Sequence, residues 1–154
     1  MRRVVALVIC LVVLTWPMAA FSGENGFIGG LRNVRGNAVV QRGEKKLTAK
    51  DGLRIRLNDV LITGRDGTMG VIFEDNTRIS LGPNSKLTIT KYLYQPAHEK
   101  YGFISRMIRG TAYFISGAIG KASPESVKFE TPVATIGTRG TAFLAKVVPE
   151  HRQP

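Results

Sequence analysis

Cysteine is nearly missing from this chain of 154 residues, and the one present is Cys10. It lies inside an apolar run and follows Ile9 rather than a small residue, so we do not expect it to be a lipoprotein acylation site. The rest of the chain can form no disulfide and no thiolate metal site, and it offers no cysteine nucleophile. Its fold must therefore be held together by packing and hydrogen bonds.

Histidine and carboxylate side chains are also scarce. The two histidines, His98 and His151, lie 53 positions apart, and neither stands in a His-x-x-x-His or Glu-x-x-His frame, so we expect no metal. The adjacent pair Glu74 and Asp75 is predicted to form a solvated hairpin end. No G-x-S-x-G or G-x-x-x-x-G-K motif occurs. The sequence thus predicts a non-enzymatic protein without cofactor or metal.

Acidic charge is low relative to basic charge: 22 Lys and Arg oppose 11 Asp and Glu, which gives +11. Without Arg2 and Arg3, which belong to the export signal described next, the remaining 20 basic and 11 acidic residues give +9. Such an excess attracts anionic partners such as acidic glycans or lipid headgroups, or serves solubility alone. We predict no specific nucleic-acid partner.

The N-terminus has the pattern of a cleavable signal peptide over residues 1–22. Arg2 and Arg3 precede 11 unbroken apolar residues, 4–14, a run too short to span a bilayer comfortably. Small residues at Ala20 and Ser22 favour cleavage before Gly23. Twin-arginine export and an uncleaved anchor are the alternatives. The sequence predicts periplasmic or secreted localisation, with no transmembrane span after cleavage.

Short apolar runs separated by turn residues fill residues 58–89. The runs lie at 60–62, 71–73, 79–81 and 87–89, and Gly, Pro, Asn or Asp stands in every gap. The last two runs alternate apolar and polar residues with period two, which is typical of strands with one buried face. Further strands are predicted at 31–34, 38–41, 47–49, 53–57, 101–108, 111–116, 127–131, 133–136 and 141–148. We predict a core formed by Val60, Leu61, Val71, Phe73, Ile79, Leu81, Leu87, Ile89, Phe114 and Ile136.

Two ordered blocks carry a family resemblance. The first comprises DVLITG at residues 59–64 and DNTRISLGPNS at residues 75–85, and the second is TPVATIGTRGTAF at residues 131–143. Together they resemble the FecR domain, the periplasmic module named for the ferric-citrate regulator. The resemblance extends over about residues 36–145. It implies a periplasmic module that binds an envelope protein or a signal ligand.

Full regulators of this family also have a membrane span and a cytoplasmic region that controls a sigma factor. No counterpart precedes the apolar run here, so the resemblance implies the periplasmic module without sigma-factor control. Many relatives continue with further strands past the second block, whereas this sequence ends eleven residues after Phe143. We therefore expect the last strand, residues 141–148, to lie at a sheet edge that is open to strand addition.

Two segments hold the candidate binding residues. Residues 92–100 contain Pro96 and are predicted to form a loop, in which Tyr92, Tyr94 and His98 are candidates for ligand contact; surface aromatics on an edge strand are the alternative. The turn at residues 137–140 offers Gly137, Arg139 and Gly140 as an anion nest with a forked donor. A purely structural role for these glycines and Arg139 is the alternative.

The sequence as a whole predicts an all-β protein, either a short-stranded β-sandwich or a solenoid-like β-roll, preceded by a cleavable signal peptide. The predicted organisation is a signal peptide (1–22), a flexible leader (23–30), a FecR-like β domain (31–148) and a polar tail (149–154). The first functional hypothesis is a module that docks an envelope protein or a signal ligand. A surface-association protein held to anionic glycan or lipid is the second, and a glycan-binding accessory domain of an enzyme, using residues 92–101, is the third.

Overall fold

Strands dominate the computed structural model, which describes residues 26–137 and 142–148. The strands are β1 (Phe27–Arg35), β2 (Ala38–Arg42), β3 (Lys45–Thr48), β4 (Arg54–Arg56), β5 (Val60–Thr63), β6 (Thr68–Phe73), β7 (Arg78–Leu81), β8 (Lys86–Gln95), β9 (Lys100–Ile115), β10 (Val127–Glu130), β11 (Thr135–Gly137) and β12 (Ala142–Val147). One helix, α1 (Ala118–Ala122), and two 3-10 turns, Pro96–His98 and Pro124–Ser126, complete the described part. The all-β prediction is confirmed.

One curled, mostly antiparallel sheet contains all the strands, in the order β3-β2-β5-β8-β9-β7-β6-β1-β4; β10 and β12 branch from β9, and β11 pairs with β10. The 16-residue strand β9 belongs to both halves of the sheet. Residues 110–115 join β1, β4, β6, β7 and β12 in what we call the first half-sheet. Residues 100–109 join β2, β3, β5, β8, β10 and β11 in the second half-sheet, where β9 and β10 form a parallel pair.

The core lies between the two half-sheets, because each strand turns its alternate apolar side chains inward. Phe73 of the first half-sheet packs edge-on against Phe103, with ring centroids 4.9 Å apart, and stacks on Tyr92 at 5.8 Å. Of the predicted core residues, Val60 and Ile136 are only partly buried, and the other eight are fully buried. The buried hydrophobic residues that the prediction did not include are Ile28, Leu31, Ala38, Val40, Ala49, Ile55, Met69, Phe103, Met107, Ala112, Ile119, Val127, Phe129 and Ala145.

Three local predictions differ from the structure. Residues 92–95 continue β8 rather than forming a loop, because they pair with residues 100–103 of β9 and leave only Pro96–His98 as the turn. The strands predicted at 101–108 and 111–116 are one strand that bends at Gly110, where φ is +100°. The predicted leader, residues 23–30, overlaps β1, whose Ile28 is buried.

Gly29 explains why a glycine-rich segment belongs to the sheet. A Cβ at this position would lie 2.6 Å from the carbonyl oxygen of Ile72, so only glycine allows β1 to approach β6 this closely.

The predicted signal peptide, the start of the leader and the predicted tail at 149–154 lie outside the described residues. The described helices are far too short and polar to form a membrane span.

Candidate docking site

The first family block supplies most of the polar side chains that are buried in the described structure. Asp59, Thr63, Asp75, Thr77 and Ser85 are each at most 2% exposed. Buried polar groups are costly unless they are hydrogen-bonded, and each of these five has partners. Their role is to stabilise turns inside the molecule.

Asp59 forms an ion pair at the start of β5. Arg42 donates from its guanidinium to both carboxylate oxygens, with the shortest contact at 2.7 Å, and the backbone N–H of Arg56 donates to Oδ2 at 2.8 Å. The hydrogen bond to Asp59, together with its negative charge, raises the pKa of Arg42 against the opposing effect of burial. The pair ties β2 to the turn between β4 and β5.

Asp75 is fully buried, so the prediction of a solvated hairpin end is wrong for this residue. Its carboxylate accepts hydrogen bonds from Thr77 Oγ1 at 2.7 Å and from the backbone N–H of Ile119 at 3.2 Å. Its own N–H donates to the Tyr92 hydroxyl at 2.9 Å. Burial first, and the Asp75 charge second, raise the pKa of Tyr92 above its ordinary value. The Tyr92 hydroxyl is therefore a structural partner of Asp75.

Ser85 stabilises the corner at which β7 leads into β8 beside the bend of β9. Its hydroxyl donates to the Gly82 carbonyl at 2.8 Å and accepts from the backbone N–H of Thr111 at 3.0 Å. Its own N–H donates to Thr63 Oγ1 at 2.8 Å. A Cβ at Gly110 would collide with the Ser85 side chain. Ser85 and Gly110 thus fit together where the chain passes from one half-sheet to the other.

The candidate binding residues do not form one site among the described residues. Gly137 ends β11, is exposed, and has no described heavy atom within 4 Å of an added Cβ, while Arg139 and Gly140 lie outside the described residues. Tyr94 lies on β8 with its ring 6.4 Å from that of Tyr101. His98 is exposed in the turn after β8. Ligand binding by these residues stays a prediction.

An apolar groove of about 410 Å³ opens beside β12 and is the feature that sequence reasoning missed. Its exposed apolar side chains are Val133 (84% exposed), Val148 (73%), Leu144 (69%) and Ile108 (45%). The turn that carries Val133 is ordered by three hydrogen bonds between Thr131 and Ala134, one of 2.8 Å and two of 3.0 Å. This hydrogen-bonded turn holds Val133 exposed at the groove, which Leu144 also lines.

The free edge of β12 borders this groove. In the part of the chain that the structure describes, β12 pairs with β9 from Ala142↔Ile115 to Val147↔Gly110 and with no second strand. On the same edge of β9, pairing with β10 ends at Arg106. Residues 107–109 therefore form a gap between β10 and β12. We call the β12 edge, this gap and the groove together the docking site.

Charge around the docking site is mixed. Lys146 lines the groove, and a neighbouring cavity of about 360 Å³ contains the ion pair of Arg106 and Glu130, whose closest atoms are 2.9 Å apart. Among residues 26–137 and 142–148, no group of three or more His, Cys, Asp or Glu is placed to hold a metal ion. The docking site is an apolar surface with a polar rim, a composition typical of protein-binding surfaces.

The described residues form an all-β module with hydrogen-bonded polar turns, an apolar groove, and an edge of β12 that pairs with no second described strand. A sequence model of the family described as FecR protein matches residues 59–153, more than half of the chain. The chain belongs to the FecR family, whose domains are generally non-enzymatic periplasmic regulators or sensors. Comparison with curated proteins and with solved structures gives no match.

The matched range begins at Asp59, the residue of the Arg42 ion pair. Strands β1 to β4 therefore precede the match, although the resemblance was expected to begin near residue 36. They are nevertheless integral to the sheet, because β1 pairs with β6 and β2 pairs with β5.

Proposed function

We propose that this chain is an exported, non-enzymatic FecR module that docks another envelope protein, or a signal ligand, at the docking site beside β12. The observation that carries the proposal is an apolar groove next to an edge of β12 that pairs with no second strand among the described residues. FecR domains typically mediate protein interactions in signalling. Export through the signal peptide predicted at residues 1–22 would place the module in the periplasm.

Strand addition explains how such a site works. An extended segment of the partner pairs its backbone with the free N–H and C=O groups of β12, and one of its apolar side chains enters the groove between Val133 and Leu144. The main-chain hydrogen bonds contribute affinity, and the groove selects the side chain. This mode is insensitive to salt, because it uses few charged groups.

The test is a pull-down from envelope extract with residues 23–154 as bait, at about 0.05 M and about 0.5 M salt, followed by mass spectrometry. We expect one specific protein to stay bound to the wild type at both salt concentrations. Leu144→Glu should abolish its capture. Leu57→Glu is the matched control, because Leu57 is also exposed (40%) but lies in the turn between β4 and β5. Equal capture by the wild type and Leu144→Glu would contradict the proposal.

A second candidate is association with an anionic envelope surface through positive charge. The observation in its favour is the exposure of Arg32, Arg35, Arg54, Arg56 and Arg78, all on strands of the first half-sheet. No comparable observation favours the glycan-binding accessory domain. The ring of Tyr92 packs against Phe73 and Phe103 rather than projecting as a sugar platform.

A further inference from the structure

Two rows of side chains cross the outer face of the first half-sheet. The strand registers align the first row as Leu144, Tyr113, Ser80, Gly70 and Arg32. They align the second row as Ala142, Ile115, Arg78, Ile72, Gly30 and Arg54. All eleven residues are exposed or partly exposed, and they alternate with buried residues on the same strands. We call this surface the arginine face.

The arginine face is positively charged. Arg32, Arg54 and Arg78 stand in its two rows, and the rows contain no acidic residue. Arg35, opposite Thr68, and Arg56 extend the charge at the margin. The nearest acidic contact is that of Glu74 with Arg54, at 3.9 Å between side chains that are both more than half exposed, so the pair neutralises little of the charge.

Arg54 and Arg56 both contact the same aromatic ring. Their guanidinium carbons lie 4.9 and 4.7 Å from the centroid of Phe27. Cation–π attraction offsets part of the repulsion between the two like charges. Each guanidinium group presents a planar fork of donors that suits a phosphate group.

Exposed apolar side chains stand in the same two rows. Leu144 is 69% exposed, Tyr113 is 43% exposed and Ile72 is 37% exposed. Binding of a soluble polyanion does not require these exposed apolar side chains. A bilayer offers both phosphate groups for the arginines and an interfacial region in which tyrosine and aliphatic side chains are stabilised. A shallow cavity of about 330 Å³, bordered by Arg35, Thr68 and Ser80, adds room for a headgroup on this face.

We propose that the arginine face is a docking surface for an anionic phospholipid bilayer. This inference rests on the second candidate function and names its surface and its ligand. The guanidinium groups bind headgroup phosphates, while Ile72 and Tyr113 enter the interface. The docking site beside β12 borders the arginine face at Leu144, so a membrane-bound module would hold its protein-binding edge close to the bilayer surface.

The experiment measures binding of the protein comprising residues 23–154 to vesicles by flotation. One set of vesicles contains phosphatidylglycerol and the other only phosphatidylcholine. We expect binding to the anionic vesicles alone. The triple variant Arg32→Gln, Arg54→Gln and Arg78→Gln should lower the partition constant about 100-fold, since each basic residue at a membrane surface contributes roughly a fivefold factor.

The matched control removes the same charge from the other side of the molecule. Lys46→Gln, Lys86→Gln and Lys128→Gln change three lysines on the outer face of the second half-sheet. We expect less than a tenfold loss. If both triple variants lose binding equally, charge-driven association stands but the arginine face is refuted. If the wild type binds no anionic vesicle, the second candidate function falls as well.

A second pair of measurements separates a bilayer from a soluble polyanion. Ile72→Ser with Tyr113→Ser should weaken vesicle binding at least tenfold and leave binding to polyphosphate unchanged. Unchanged vesicle binding by this double variant would overturn the bilayer as ligand, and it would indicate a site for soluble phosphate polymers. The melting temperature of every variant is measured, so that a folding defect is not mistaken for lost binding.

Discussion

Ser85, Asp75 and Asp59 each stabilise a turn by hydrogen-bonding to its backbone groups. In Ser85 the hydroxyl satisfies the N–H of Thr111 and the carbonyl of Gly82. A buried backbone group that loses its partner has a larger effect on stability than the mean value of a hydrogen bond. Single substitutions at these residues should therefore lower the free energy of unfolding.

Ser85→Ala should lower the free energy of unfolding by about 1–3 kcal/mol, because the N–H of Thr111 is left without its acceptor. Urea denaturation measures the change. Ser80→Ala is the control, because Ser80 is exposed on β7, and we expect a change within about 0.5 kcal/mol. Equal stability of the two variants would show that the Ser85 hydroxyl does not stabilise the corner.

Gly110→Ala should destabilise the protein more than Gly43→Ala. Both glycines have positive φ, +100° and +56°, which costs an alanine about 1–2 kcal/mol. Only at Gly110 does the new Cβ also collide with Ser85, whereas Gly43 has no described heavy atom within 4 Å of an added Cβ. Chemical denaturation of both variants measures the difference. A smaller effect at Gly110 would contradict the close fit of the corner.

Tyr92→Phe tests the raised pKa of the phenol. Because the folded protein holds this proton more tightly than the unfolded chain, the neutral phenol contributes stability below the unfolded pKa of about 10. That contribution is lost as pH rises above this value. The variant should be less stable by about 1–3 kcal/mol at neutral pH, because Asp75 N–H loses its acceptor. Thermal unfolding at several pH values should show that the difference in stability between the wild type and Tyr92→Phe becomes smaller above about pH 10. A difference in stability that does not change with pH would contradict the raised pKa of Tyr92.

At the scale of the element, β12 has one face that packs against the core and one face that is exposed at the groove. Phe143 turns inward, stacks on Phe114 with centroids 5.0 Å apart, and meets Phe129 edge-on at 5.3 Å. Leu144 turns outward into the groove and the arginine face. Deletion of the whole strand would remove both functions together, so point substitutions give the cleaner experiment.

Phe143→Ala should lower the free energy of unfolding by about 2–4 kcal/mol, at the lower end of the range for phenylalanine because the ring is only partly buried. Leu144→Glu should change it by less than about 0.5 kcal/mol and still abolish partner capture. Urea denaturation and the pull-down together separate the two roles. A large loss of stability in Leu144→Glu would show that this side chain stabilises the fold, and the capture result would then carry no weight.

At the scale of the whole molecule, two surfaces meet along β12: the apolar docking site and the arginine face. Their responses to salt should differ. Between about 0.05 M and about 0.5 M salt, binding to anionic vesicles should fall at least tenfold, because screening shortens the range of charge attraction. Partner capture at the docking site should change less than twofold. Parallel loss of both activities would show that a single electrostatic surface serves them.

Turn chemistry made much of the fold predictable. Gly36, Gly43 and Gly52 all adopt positive φ in the segments between the strands predicted at 31–34, 38–41, 47–49 and 53–57. The alternation of Ile79 and Leu81 with Arg78 and Ser80 predicts which side faces the core. The extension of β8 past residue 91 was not predictable, because Pro96 predicts a loop around it, whereas β8 continues as far as Gln95, the residue before the proline. The alternation of Arg54-Ile55-Arg56 predicts that these two arginines lie on the exposed side of their strand. Which other residues lie beside them on the arginine face depends on the register of six strands.

The sequence by itself determined most of the strands, the turns between them and the family, because each depends on residues within a few positions of one another. Only the tertiary structure decided that Asp75 is buried rather than solvated, since its acceptor role requires the N–H of Ile119, 44 positions away. It likewise decided where β12 lies and which side chains border the groove. Long-range pairing with β9 sets both, and local patterns of hydrophobicity carry no information about which distant strand will become the neighbour.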